Sequence, residues 1–339
     1  MKEKTINELL QNRVKKNSGK LLLQKRDGWS WKQITWLDFD RNIRNIAAYL
    51  LDLGFDVGNA VLIASSNRLE SLYAEIAVYI LGGVSIPIDQ DEDIIEKLNV
   101  ASDVGIKFIF IGDHSGLSRV INFSDKISNL KKIVVFSDKR YESDDKVINF
   151  KNLLKFGLMK KKQHEDDLRE ITGNVSPNNV ASIFYNLNSN GDVIKKEITQ
   201  QNLIEIIHRA SEKLEILDKE DQSYSYMPSV SPFEKFVNYL AIYMEFRMVL
   251  SENREDFYEE ILEVKPTVIF ETQSGLEEII EKKLTNLERT SKGQTLKREL
   301  GSRVKYIITD SPPREEIKDI FKSSNISIID IPEFNKIVN

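Results

Sequence analysis

Short runs of apolar residues, each followed by a stretch of helical period, most limit what this chain can fold into. AVLIA at 60–64, VSIPI at 84–88, FIFI at 108–111 and IVVF at 133–136 are such runs, with helical patterns at 69–81 and 94–102 between them. A strand apolar at every position has no face to offer water, so it must lie in a sheet covered on both sides. Alternation with helices supplies that cover and demands parallel strands joined by crossovers.

The pattern occurs twice. Residues 157–179, GLMKKKQHEDDLREITGNVSPNN, are charged and then rich in Gly, Asn, Ser and Pro, and read as a linker or surface crossover. Beyond it come strands at 180–186, 192–198, 223–227, 248–250, 267–270, 304–308 and 326–329. Helices are expected at 199–215, 232–246, 255–263, 274–284 and 313–322. Two α/β halves follow: 1–175, including an N-terminal helix and a hairpin, and 176–339. The helix rests on Ile6, Leu9, Leu10 and Val14 with capping-box spacing at Thr5 and Glu8. The hairpin places strands at 21–23 and 29–35 around Asp27-Gly28. A longer helix at 37–53, capped by Gly54, precedes the first apolar strand.

At 339 residues the chain is long enough for two packed cores. Its 48 basic and 53 acidic residues give a net charge of -5, which argues against broad nucleic-acid binding. Lys160-Lys161-Lys162 and Lys195-Lys196 read as solvated faces. With no cysteine there are no disulfides and no thiolate chemistry, which fits a reducing compartment; the cytoplasm is the expected location. No apolar run approaches the roughly 20 residues of a membrane span. His114, His164 and His208 stand at spacings that match no helical metal motif and read as structural or exposed.

Four segments, in order, carry a family resemblance. TWLDFDRNIRNIAAYLLDLGF is like a helix ahead of a first core strand. AVLIASSNRLESLYAEIAVYILGGVSIPI matches a strand, Asn-Arg-x-Glu, helix, Gly-Gly and strand. DQSYSYMPSVSPFEKF is similar to a segment ending Leu-Pro-x-x-His-x-x-Glu-Arg, and LEVKPTVIFETQSGLEEI to a Lys-Pro-Thr strand with its helix. Together they resemble the long-chain acyl-CoA synthetases of the AMP-binding, adenylate-forming superfamily. The resemblance implies an α/β fold of two packed, doubly wound subdomains. Members activate a carboxylate with ATP and pass the acyl group to a thiol.

The same resemblance implies sites, and this chain departs from them. A Ser/Thr/Gly-rich phosphate loop ending in Pro-Lys-Gly corresponds to Tyr185–Lys195. Tyr185 and Gly191 match it, but Asn186, Leu187, Asn188, Ser189 and Asn190 replace Thr, Ser, Gly, Thr and Thr. Ile194 falls where the lysine belongs, and Lys195, one residue later on a strand, points to the other face. A hairpin with Asn190-Gly191 in a type I′ turn accounts for the stretch without any phosphate. The family histidine is Ser231. Asp310 and Ser311 stand in place of glycines that approach adenine. Pro332, Asn335 and Lys336 occupy the motif that stacks on adenine and holds magnesium, and a lysine there reverses the charge a hard cation needs. Phe246 replaces a turn glycine, and its ring is expected to fill vacated space. The chain ends just after this region, so the small C-terminal domain is expected to be absent.

The reading that follows is a non-catalytic synthetase-like protein with no catalytic residue, no metal and no cofactor. It would bind a protein partner, an active synthetase or an acyl carrier protein, or an acyl ligand. The alternative is an atypical ATP-dependent acyl-adenylating ligase that uses ATP, AMP and magnesium and needs a separate C-terminal domain. Glu259, Glu260 and Glu263, and Glu277, Glu278 and Glu281, read as solvated helix surface. Tyr224, Tyr226, Phe233, Phe236, Tyr239, Tyr243 and Phe246 read as core.

Overall fold

The structure is a computed structural model. It describes residues 3–88, 94–101, 104–137, 145–187, 193–226, 232–251, 254–284 and 292–332. The elements run α1 (Ile6–Asn17), β1 (Leu21–Asp27), β2 (Ser30–Thr35), α2 (Trp36–Asp52), β3 (Ala60–Ala64), α3 (Leu69–Ile80), β4 (Val84–Ile88) and α4 (Ile94–Val100). Next are β5 (Ile106–Ile111), α5 (His114–Ile121), β6 (Lys132–Val135), β7 (Val147–Asn149), α6 (Phe150–Lys161), α7 (Glu165–Asn174), β8 (Val180–Leu187), β9 (Val193–Thr199) and α8 (Gln200–Lys213). Then come β10 (Gln222–Ser225), α9 (Pro232–Met244), β11 (Arg247–Leu250), α10 (Phe257–Val264), β12 (Val268–Glu271), α11 (Gln273–Leu284), α12 (Lys292–Glu299), β13 (Tyr306–Thr309), α13 (Glu315–Ser323) and β14 (Ser327–Asp330).

Two seven-stranded sheets result, as the doubled apolar pattern requires. One has the order β7-β6-β5-β3-β4-β8-β9, the other β14-β13-β12-β10-β11-β1-β2. The strands from β3 to β7 pair in parallel, and only β9 runs against its neighbour β8. In the second sheet β10 to β14 and β1 all pair in parallel. No helix among the described residues is long and apolar enough to cross a membrane.

The chain divides into two compact units, but not at 175. One comprises 1–20 with 35–205, the other 21–34 with 206–339. Strand pairing sets this division. Leu23 pairs with Met248, which carries the N-terminal hairpin into the second sheet, while Ser182 pairs with Ser85, which keeps the β8–β9 hairpin in the first. Residues 157–179 are also mostly helix, not linker. α6 continues to Lys161 and α7 covers Glu165–Asn174, with Leu168 and Thr172 facing inward. Charged residues fill the outer face of α7, and its acidic first turn suits the positive end of a helix.

Within the first unit, α2 buries Phe39, Ile43, Ile46, Ala47 and Leu50, and α6 lies along it. Gln200, fully buried, accepts from the Ile6 N–H at 3.1 Å and donates to the Tyr79 carbonyl at 3.0 Å, so it joins α1, α3 and α8. Thr5 caps α1 as its spacing predicts, accepting from the Glu8 N–H at 3.2 Å. In the second unit, Tyr224, Tyr226, Phe233, Phe236, Tyr239 and Phe246 are buried core as expected, while Tyr243 is only half-buried. Phe246 stacks on Phe270 with centroids 5.9 Å apart. Glu260 and Glu263 are not merely solvated. Glu260 accepts from the Tyr224 hydroxyl, and Glu263 from Trp31 Nε1 and Arg26, which fastens the N-terminal hairpin to α10.

Close approach of α6 to α2 depends on Gly157, where a Cβ would lie 1.9 Å from the Asn45 carbonyl oxygen. Alanine is the better helix former by about 1 kcal/mol. Overpacking costs about 1–3 kcal/mol, and here the obstacle is backbone that has no rotamer to change. Gly157→Ala is therefore expected to lower the melting temperature in a thermal scan, despite its helix propensity.

The same helices are joined by an ionic cluster. His164 Nε2 lies 3.2 Å from Asp52 and Nδ1 3.0 Å from Asp167, while Lys160 is 2.9 Å from Asp52. The Asp167 hydrogen bond, helped by Asp52, holds the His164 pKa above the ordinary histidine value against the effect of burial. Burial would raise the Asp52 carboxyl, but Lys160 and His164 outweigh it and hold it low. A raised histidine pKa stabilises the fold fully below the unfolded value, and the contribution fades as pH rises through the folded value. His164→Gln should thus cost most stability below about pH 6.5 and least at pH 8, read as the difference in melting temperature from the parent.

Candidate functional site

In open α/β sheets, ligands bind outside the carboxyl ends of the strands where successive crossovers turn in opposite directions. In the second sheet that place is between β10 and β12. The chain leaves β10 for β11 on one side, then returns past it to β12 on the other. Tyr226 follows β10, Glu271 ends β12, and Asp310 and Ser311 follow β13 at the same edge.

These residues bond to one another. The Tyr226 hydroxyl donates to Glu271 Oε2 at 2.5 Å, and Glu271 is fully buried. Its Oε1 accepts from the Thr272 N–H at 2.8 Å and the Thr272 hydroxyl at 3.2 Å. Asp310 Oδ1 accepts from the Gln273 N–H at 3.0 Å and from the Ser311 hydroxyl at 3.2 Å. Ser311 Oγ also lies 3.2 Å from Gln273 Oε1. Thr272 caps α11, accepting from the Gly275 N–H at 3.1 Å. The amide groups at a helix N-terminus attract anions. At the start of α11 the chain supplies its own, Glu271 and Asp310. Space is tight there as well, since a Cβ on Gly275 would lie 2.1 Å from Glu271 Oε1.

In the first unit the corresponding switch point lies between β3 and β5, and it too is spanned from within. Arg68, from the Asn-Arg-x-Glu motif, donates to the Gly112 carbonyl at 3.1 Å, pairs with Glu70 at 3.1 Å and covers the Phe136 ring.

The phosphate-loop counterpart belongs to β8 and β9. Tyr185 pairs with Lys195 and Asn186 with Ile194 across the two strands. Directly opposed residues share a face, so Lys195 and Ile194 lie on opposite faces, as the one-residue offset predicts. Tyr185 is buried with Ile183 in the core of the first sheet. Lys195 is 3.3 Å from Glu197, and Ile194 remains 49% exposed. Asn188, Ser189, Asn190 and Gly191 lie outside the described residues, as do Ser231, Asn335 and Lys336. Pro332 is described and follows β14. The expected sites thus fall in two separate sheets. Among the described residues no group of three or more His, Asp or Glu is placed to hold a metal ion. His208 bonds to Tyr243 at 3.1 Å, a structural contact within the second unit.

A family model described as "AMP-binding enzyme" matches residues 10–330. The chain belongs to this family. It is 21% identical over 227 residues to the long-chain-fatty-acid–CoA ligase ACSBG2 of Xenopus laevis, covering 66% of this chain and 30% of that protein. Against the long-chain-fatty-acid–CoA ligase FadD15 of Mycobacterium bovis it is 20% identical over 268 residues, 78% of this chain and 43% of the relative. It therefore spans less than half the length of these relatives. Among solved structures, the N-terminal domain of FACL13 from Mycobacterium tuberculosis superposes with a TM-score of 0.70 at 14% identity. That match covers 97% of this chain and 75% of the domain. The anthranilate CoA ligase AuaEII, solved with anthranoyl-AMP, gives 0.73 at 12% identity, covering 96% and 58%. These likenesses establish the fold of an adenylate-forming N-terminal domain.

Sequence reasoning singled out Asp310 and Ser311 but missed Tyr226 and Glu271 as a pair. The visible signal was a carboxylate closing the otherwise apolar strand VIFE. Tyr226→Phe removes one hydrogen bond to a buried carboxylate. Such bonds contribute about 1.5–3 kcal/mol, and a loss of that size is expected in urea unfolding.

Proposed function

We propose that this AMP-binding-family chain is non-catalytic and uses the synthetase scaffold as a binding module. The observation that carries the reading is chemical. By its resemblance to the family loop, Ile194 stands where the lysine belongs, and the neighbouring Lys195 lies on the other face with Glu197 as an ion-pair partner. A triphosphate at that loop would meet no lysine from β9's Ile194 face in the family position. The Glu271 and Asp310 carboxylates support the same reading, because they take up amide donors at the start of α11 and would repel a second anion there. The module's occupant is an acyl ligand or a protein partner, of which an active synthetase and an acyl carrier protein are the two that the family's chemistry suggests. ATP, AMP and magnesium are not required.

The test is pyrophosphate release from ATP by the purified chain with magnesium and a series of fatty acids. No release above background is expected, and Ile194→Lys alone should not restore it. Robust turnover by the parent chain would overturn the reading in favour of an atypical acyl-adenylating ligase. Thermal shift separates the occupants. A ligand that binds only the folded state raises the melting temperature by mass action. An acyl ligand should do so if it is the occupant, while AMP should not.

A further inference from the structure

The outward face of α6 is the most unusual surface among the described residues. One side of the helix, Phe150, Leu153 and Gly157, is buried. On the other, Phe156 is 45%, Leu158 59% and Met159 66% exposed, three large apolar side chains within four residues. Single exposed apolar residues are ordinary; here Phe156 and Met159 stand about 60° apart around the helix and Leu158 about 100° beyond Met159, a broad apolar arc that asks for a partner. At 100° per residue, Leu158, Lys151, Lys162, Lys155, Met159 and Phe156 follow one another around the solvent-facing arc. Lys155 stands three residues before Leu158 and four before Met159, so its stem lies beside both.

Charge names the partner. From 146 to 164 the only charged residues besides His164 are lysines, and Lys151, Lys155 and Lys162 are exposed on this arc. The flanking acids are Asp145 on one side and Glu165, Asp166 and Asp167 on the other, of which Glu165 lies 3.8 Å from Arg169 and Asp167 3.0 Å from His164. Apolar side chains interleaved with long cationic ones match the interface of an anionic bilayer. There methylene and ring groups enter the acyl boundary while ammonium groups reach back to the phosphates. A protein partner would need an acidic rim around an apolar socket; a bilayer containing anionic lipid supplies both everywhere on its surface.

We propose that α6 is a docking face for anionic phospholipid membranes, with Phe156, Leu158 and Met159 inserting at the interface and Lys151, Lys155 and Lys162 pairing with headgroups. The contact is peripheral and reversible. It rests on the surface of the first unit alone and stands whether or not the chain is catalytic.

Vesicle flotation with the full chain tests this. Binding is expected to phosphatidylcholine vesicles that contain phosphatidylglycerol, weakly or not at all to phosphatidylcholine alone, and to fall with added salt. Lys155→Gln with Lys162→Gln should weaken partitioning roughly thirtyfold, about fivefold per lysine. Met159→Glu should abolish it with no change in melting temperature, since that side chain is mostly in solvent. Equal binding by Met159→Glu and the parent would overturn the proposal, as would failure to bind any vesicle. A concentration-dependent dimer that Met159→Glu dissociates, without vesicle binding, would assign the face to a second copy instead.

Discussion

Parallel pairing is the constraint on which the rest of this structure depends. A chain cannot turn straight back into a parallel neighbour, so most strands here, the two hairpins aside, are followed by a helix that crosses a face of the sheet. The crossings bury both faces and bring the carboxyl ends of strands together at one edge. Where crossings change direction, a crevice opens that the backbone alone does not fill. Side chains decide what occupies it. In this chain Arg68 bridges β3 to β5 in the first sheet, and Tyr226, Glu271 and Asp310 knit together the β10, β12 and β13 ends in the second.

A buried carboxylate is costly unless its oxygens are hydrogen-bonded. Glu271 satisfies that condition with a tyrosine, a backbone amide and a threonine hydroxyl, and it sits at the end of α11 whose partial charge favours it. Both oxygens of the carboxylate are thus hydrogen-bonded from within the chain. A side chain at 275 would have to displace that carboxylate, since a Cβ there would lie 2.1 Å from Oε1.

Much of the fold was legible because it is written locally. AVLIA, FIFI and IVVF are apolar at every position, and such strands have no face to turn to water. The pairing of Leu23 with Met248 was not legible, since nothing local marks a hairpin for one sheet over another. α7 was hidden by its own solubility, since charged residues cover its outer face and only Leu168 and Thr172 are buried. α6 carries apolar residues on both sides, Leu153 inward and Phe156, Leu158 and Met159 outward, which blurs the helical period. The site divides the same way. Ile194 and Asp310 drew attention through residue type alone, set against the motifs that the resemblance implies. The partners of Glu271 and Asp310 stand 45 and 37 residues away and come into view only through the sheet.

The N-terminal hairpin has a consequence for how the molecule is made. β1 and β2 leave the ribosome early, yet their place in the second sheet does not exist until β11 has been synthesised, and the whole of 35–205 is made in between. A nascent chain must therefore hold an orphan hairpin, with fully exposed Trp29 at its tip, while the first unit folds around the gap it leaves. The two units are interleaved in time as well as in sequence, and no single cut separates them.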